Sequence, residues 1–162
     1  DAASIPTDAL MRLMGHKKDV VGVVAYQRGE PFNPCVFEMS EDGQHVVPVE
    51  VEGTGLREVS AIGMHMTLFK VSVFERLTEF YVEKAKASGM EDKQDLQRLR
   101  EKGRKWWGAF ETVGEDLRFC ERCREASIKI HVDGDMVIGH IGQPQVVTGA
   151  TRRAWKARQS GQ

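Results

Sequence analysis

Two hydrophobic periods succeed one another along this chain, and the switch between them constrains the fold more than any other feature. From Lys18 to Phe74 the apolar residues fall in short β-branched runs, and from near Thr78 they recur at intervals of three and four. The first pattern calls for a sheet and the second for helices. A final alternating stretch, Ser127 to Ile141, returns to the β period. Taken in order, these blocks predict an α+β fold: a small, bent antiparallel sheet or barrel, then two helices, then a C-terminal β-hairpin.

Within the β block, Val20-Val21-Gly22-Val23-Val24 reads as one strand, and Cys35 to Met39 and Val46 to Val51 flank Asp42-Gly43. Asp-Gly suits a tight hairpin turn. Pro48 donates nothing to a ladder, so its strand belongs on an edge or at a bulge. Met64 to Phe74 gives one or two further strands, with Met64-His65-Met66 as plain alternation. Ahead of this block, Ile5 to Gly15 predicts a short helix with Thr7 or Asp8 as its cap.

The helical block divides at Gly89, a residue suited to the left-handed position after a helix end. A first helix spans Thr78 to Ser88. A second starts near Glu91 and carries Leu96, Leu99, Gly103, Trp106 or Trp107, and Phe110 on one face, so the two cover residues 78–111. In the last block Asp133-Gly134 is expected to turn a hairpin over residues 127–141. The chain thus reads as one domain over residues 1–150, followed by a basic tail at 151–162.

With 162 residues the chain can bury roughly 70% of its unfolded surface without staples. Apolar residues at 41% and charged residues at 29% argue against wholesale disorder. No apolar run reaches the roughly 20 residues of a membrane helix, and the first residues lack the basic and apolar regions of a signal peptide. Cys35, Cys120 and Cys123 are odd in number and unevenly spaced, which points to a reducing intracellular compartment rather than a disulfide framework. Cytoplasm, nucleus and organelle matrix are not distinguished. The expectation is a protein with no membrane partner.

The net charge of −1 conceals an asymmetry: residues 1–60 hold ten acidic side chains against five basic, and the remainder holds fourteen against eighteen. A polyanion would approach the second half first. Lys102, Arg104 and Lys105 precede Trp106 and Trp107, and Arg152, Arg153, Lys156 and Arg158 surround Trp155. Cations interleaved with aromatic rings fit single-stranded DNA or RNA, where phosphates pair with charge and bases stack. The same helix carries Glu91, Asp92, Asp95 and Glu101, so a solvated face with internal ion pairs is the alternative account. No acidic residue lies within 151–159, so this segment is either mobile or ordered by an acidic partner. Deleting residues 151–162 is therefore expected to leave fold and thermal stability almost unchanged.

Cys120 and Cys123, three residues apart, could share a tetrahedral zinc if two more ligands joined them. His140 is the better third ligand, with Cys35 a fourth if the β block folds back. With a two-residue turn at Asp133-Gly134, His131 and His140 stand on the order of 13 Å apart at roughly 3.3 Å per residue, too far to share an ion. Two ordinary, partly buried cysteines are the alternative. His131-Val132-Asp133 offers a pair of ligands, but the turn claims Asp133. No nucleophile elbow, phosphate loop or His-Glu-x-x-His zinc motif occurs, so catalysis is disfavoured.

The stretch Asp19 to Phe74 resembles the divergent oligonucleotide-binding folds of replication protein A and telomere end-binding proteins. The likeness rests on Val20 to Val24 as a first strand, and on Val36 to Gly43 leading into Val46 to Val51 as a second and third. It implies a small barrel, and contacts to nucleic acid from Tyr26, Arg28, Phe37 and Phe69. Glu38, Glu41, Asp42, Glu50 and Glu52 make this hairpin acidic, which moves the expected contact to the later basic segments. The function expected is a non-catalytic nucleic-acid-binding module in a hetero-complex, or an assembly subunit whose Trp155 segment enters a protein partner.

Overall fold

Every residue from Val20 to Val24 is buried, which requires packing on both faces of the strand they form. In the computed structural model, which describes residues 2–90, 92, 94, 96–97, 114–141 and 146–160, that strand lies inside a four-stranded sheet. The elements before it are β1 (Ala2–Ala3) and α1 (Ala9–Gly15), and β2 is Val20–Val24 itself. Then come β3 (Val36–Met39), β4 (Val46–Pro48), β5 (Leu56–Val59), β6 (Ala61–Ile62) and β7 (Thr67–Phe69). Helices α2 (Val71–Ala87) and α3 (Glu115–Glu125) precede β8 (Ile130–Val137). The chain continues through β9 (Gly139–Ile141), β10 (Val146–Val147) and α4 (Gly149–Gln159).

The central sheet has the order β5-β8-β2-β7, and two three-stranded sheets, β4-β3-β6 and β1-β9-β10, flank it. All three are open, and the fold is of the α+β class. One pairing departs from the antiparallel expectation: β8 runs parallel to β2, with Val20 opposite Ile130 and Val23 opposite Asp133. The late strand thus inserts into the middle of the early block, between β5 and β2.

The two faces of β2 feed two cores. Val20 and Val24 join Val73 and Leu77 of α2 and Phe119, Cys120 and Cys123 of α3 in the larger one. Val21, Val23 and Ala25 pack with Ala9 and Leu13 of α1 and with Met136 and Ile138 in the smaller. Helix α1 is fastened by Asp133, whose carboxylate accepts from Arg12 Nη2 at 2.9 Å and bonds His16 Nε2 at 2.8 Å. Burial pushes the Asp133 carboxyl up, but the bonds from His16 and Arg12 outweigh it and hold the group below its usual range.

Several expectations are corrected in detail. Asp133-Gly134 is no turn. Strand β8 runs straight through it, and because Val23 pairs with Asp133 while Val24 pairs with Val137, residues 134–136 form a bulge. The Gly134 N–H donates to Gly55 O and its carbonyl accepts from the Gly53 N–H, both at 2.8 Å, so the dipeptide marks a close approach of two segments. The C-terminal hairpin is instead β9–β10, with His140 opposite Val147. Helix α2 begins at Val71, not Thr78, because Val73, Leu77 and Phe74 reach the core only at helical spacing. It ends as expected at Gly89, φ +87°. Strands β3 and β4 pair antiparallel with Pro48 on the edge, but residues 40–45 connect them instead of two.

The C-terminal segment is ordered by this chain itself. A capping box of Thr148 and Thr151 starts α4, and three of the four cations expected to await a partner find carboxylates here. Arg152 Nε donates to Glu50 Oε1 at 2.6 Å, Lys156 Nζ to the same oxygen at 2.9 Å, and Arg153 Nη1 to Glu52 Oε1 at 2.9 Å. Trp155 packs against the larger core. Deleting residues 151–162 is accordingly expected to cost about 2 kcal/mol, roughly half the value of a fully buried tryptophan, and to lower Tm by on the order of 4–8 °C. An unchanged thermal melt would contradict this docking.

Candidate anion-binding cleft

Helices α1 and α3 pack on opposite faces of the central sheet but finish at the same end of it, where the parallel strands β2 and β8 begin, and each passes its chain on through a residue in the left-handed region, Lys17 at φ +54° and Ser127 at φ +55°. Both positions usually favour glycine. Their side chains therefore come with the turn, and both line an open cleft of about 360 Å³. Lys18, Asp19 and Arg76 line it beside Lys17, and Glu58, Lys129 and His131 complete it. The helix-terminal carbonyls favour cations in this place. A second groove of about 340 Å³ continues from it through Glu58, Ser127 and Lys129 toward Arg124 and Glu38.

Four cations thus face two carboxylates. Lys129 Nζ pairs with Glu58 at 2.8 Å, and Asp19 takes both Arg76 at 2.7 Å and Lys70 at 2.9 Å. The Lys70 bond, reinforced by Arg76, holds the Asp19 carboxyl below its usual range. Lys17 and Lys18 are in no ion pair among the described residues. His131 closes the sheet side of the cleft at 8% exposure. Its ring lies by the Val20 backbone, and its Nδ1 is buried with no hydrogen-bond partner among the described residues. Burial, then Lys18, pushes its pKa below the ordinary 6.5, so the ring is neutral at pH 7.

His65 is depressed in the same way, by burial and then by His140, whose ring lies 4.4 Å away. A consequence for stability follows from both histidines. As pH falls through 6.5 the unfolded chain takes up protons that the folded chain refuses, so stability should drop there and level off below the folded values. A second loss should follow below about pH 4 as Asp19, Glu50, Glu52 and Asp133, all depressed in the fold, become protonated. Denaturant titrations between pH 8 and pH 3 would show two descending steps. A flat response from pH 8 to pH 5 would contradict the histidine assignment.

The residues nominated from the sequence fall elsewhere. Lys102, Arg104, Lys105, Trp106 and Trp107 lie outside the described residues. Arg152, Arg153 and Lys156 are occupied by Glu50 and Glu52, around a pocket of about 400 Å³ that also contains Tyr26. Arg158 is exposed on α4. Tyr26 is 2% exposed and donates its hydroxyl to Glu52, so its ring presents no stacking surface, whereas Phe37 and Phe69 pack against the core and remain half-buried. Arg28 Nε donates to His140 Nε2 at 2.8 Å, and His140 Nδ1 bonds the Tyr26 carbonyl at 2.8 Å. That arrangement puts the His140 proton on Nδ1.

Cys120 and Cys123 are fully buried on α3 in the larger core, and Cys120 Sγ lies against the Ile62 backbone. Burial pushes their thiols up to about 11 and about 12, so neither is a ready thiolate. Among the described residues no group of three or more His, Cys, Asp or Glu side chains could hold a metal ion. Sequence reasoning missed Lys17, Lys18 and Lys129 and weighed His131 only as a metal ligand. The adjacent pair Lys17-Lys18 after Gly15 was the visible signal. No helix among the described residues is long and apolar enough to cross a membrane. No protein-family model matches the chain, and no curated protein matches it.

Proposed function

We propose that this protein is a non-catalytic module that holds single-stranded DNA or RNA within a larger complex, and that the cleft beside α1 is its contact with phosphate. The observation that carries this reading is the pair Lys17 and Lys18, which line the cleft and are in no close ion pair among the described residues, although Glu58 attracts Lys18 from across it, while Arg152, Arg153 and Lys156 of α4 are each paired within the chain. Unpaired cations exchange condensed counter-ions for phosphates at little cost, whereas Arg152 and Lys156 would first have to leave Glu50. The class of ligand is the one implied by the resemblance of Asp19 to Phe74 to oligonucleotide-binding folds. Lys102, Arg104 and Lys105 extend the same basic character in sequence.

Reversing both charges, Lys17→Glu with Lys18→Glu, is expected to weaken binding of a single-stranded oligonucleotide at least tenfold. The slope of log affinity against log salt should become shallower by roughly 1.4, since each lost phosphate contact removes about 0.7 for a single strand. Fluorescence anisotropy at several salt concentrations measures both. Unchanged affinity and slope in the double variant would refute the assignment.

A second reading, an assembly subunit without direct nucleic-acid contact, has its own observation. Leu10, Met11 and Met14 share the outer face of α1 and are 56%, 71% and 54% exposed, an apolar stripe of the kind that marks protein contacts. Under that reading the oligonucleotide titration is flat at every salt concentration. Trp155, the anchor expected from the sequence, is half-buried against this protein's own core, so the exposed stripe on α1 is the better candidate.

A further inference from the structure

We propose that the cleft between the ends of α1 and α3 binds a single phosphomonoester group, held by Lys17, Lys18 and Lys129, with His131 as its fourth ligand. This deepens the nucleic-acid reading and rests on it for the location of the site. Three observations carry it independently of one another.

The first is shape. The two left-handed corners at Lys17 and Ser127 and the start of β8 gather Lys17, Lys18, Lys129 and His131 around one pocket of a size that takes a single phosphate group. The second is charge. Lys17 and Lys18 together match a group carrying close to two negative charges, which a phosphomonoester has near neutral pH and a strand's internal diester does not. The third is the orphaned nitrogen. His131 is more than nine-tenths buried on the sheet side of the cleft. Its Nδ1 lacks a partner among the described residues, and an unsatisfied buried polar atom is costly unless a ligand completes it.

A neutral imidazole and a phosphate dianion would set a lone pair against an anion, so the bound state needs one shared proton. That proton comes from solvent. It lies either on Nδ1, donating to a phosphate oxygen, or on the phosphate, donating to Nδ1. Neighbouring charges allow this: Lys18 and Lys129 oppose the imidazolium, Glu58 supports it, and Arg76 is engaged by Asp19. Asp133, two residues along the same face of β8, is already occupied by Arg12 and His16 of α1. Phosphate binding should therefore tighten as pH falls from 8 to 6, by about tenfold in all, or about 1.4 kcal/mol.

Calorimetric titration of the full chain tests this with inorganic phosphate, a mononucleotide 5′-monophosphate, and one oligonucleotide with and without a 5′-phosphate. The expected result is that at least one phosphomonoester binds, and that inorganic phosphate competes with it. The bound arms identify the source, free phosphate, nucleotide or strand end. Lys18→Gln, a partly exposed position, should weaken phosphomonoester binding at least fivefold, and His131→Gln should remove the strengthening toward pH 6. If the two oligonucleotides bind equally and phosphate neither binds nor competes, the inference is overturned while the strand-binding reading stands. If phosphate binds and no oligonucleotide does, the inference stands and that reading falls. Should His131→Gln fail to fold, Lys18→Gln alone decides, and unchanged phosphate affinity in it overturns the inference.

Discussion

Gly134→Ala should be among the most damaging single substitutions in this protein. A methyl group there would lie 2.2 Å from the Val51 carbonyl oxygen, 2.8 Å from Thr54 Oγ1 and 3.0 Å from the Gly55 oxygen. The nearest of these is backbone, so relief requires the 51–55 segment to withdraw from β8. Withdrawal breaks the hydrogen bonds from Gly53 to Gly134 and from Gly134 to Gly55, and it displaces the Asp135 carboxylate that accepts from Gly55 N. Two backbone hydrogen bonds at about 1 kcal/mol each, with overpacking of about 1–3 kcal/mol, put the cost at about 3–5 kcal/mol. For a chain of this size Tm should fall by on the order of 6–20 °C. A melt within about 2 °C of the parent would show that the bulge does not approach this closely.

Phe119→Ala is expected to have a comparable effect for a different reason. Phe119 is fully buried on α3 and stands edge-on to Phe69 of β7, with ring centroids 5.3 Å apart. Phe74 of α2 is 5.9 Å away on another side. This cluster of three rings joins α2, α3 and the central sheet, so truncation leaves a cavity with walls from three elements that cannot all collapse. Large-to-small changes of an aromatic in such a site cost about 3–5 kcal/mol. Equilibrium urea unfolding should show a lower midpoint with the slope unchanged. A loss under about 1.5 kcal/mol would mean that the helices repack freely against β7.

Local features were the ones legible from the amino acids. The β3–β4 hairpin, the edge position of Pro48 and the helix end at Gly89 each follow from a few neighbouring residues. Features set by distant partners were not. Val71-Ser72-Val73 has the composition of a strand but turns helical because Val73 and Leu77 are drawn into the core together. Asp133-Gly134 signals a break in regular backbone, and the break is real, but pairing on both sides, to β2 and β5, makes it a bulge rather than a reversal. The parallel pairing of β8 with β2 joins residues more than a hundred positions apart, beyond any local pattern.

The same limit governs the site. Arg152, Arg153 and Lys156 look unopposed in the sequence because Glu50 and Glu52 are about a hundred residues away, and only the fold makes them a closed set. Lys17 and Lys18 look ordinary beside Asp19, yet Asp19 is taken by Lys70 and Arg76. Charge runs in a sequence count cations. Which of them remain unpaired is decided by tertiary contacts.

The central claim is that the cleft at Lys17, Lys18 and Lys129, and not the cationic helix α4, meets the strand. Backbone amide chemical shifts followed while a single-stranded oligonucleotide is titrated into the labelled protein test it most directly. The account predicts the largest saturable shifts at residues 17–20 and 127–131, with residues 149–159 nearly unmoved. Shifts concentrated on Arg152, Arg153 and Lys156, with the cleft unchanged, would contradict it.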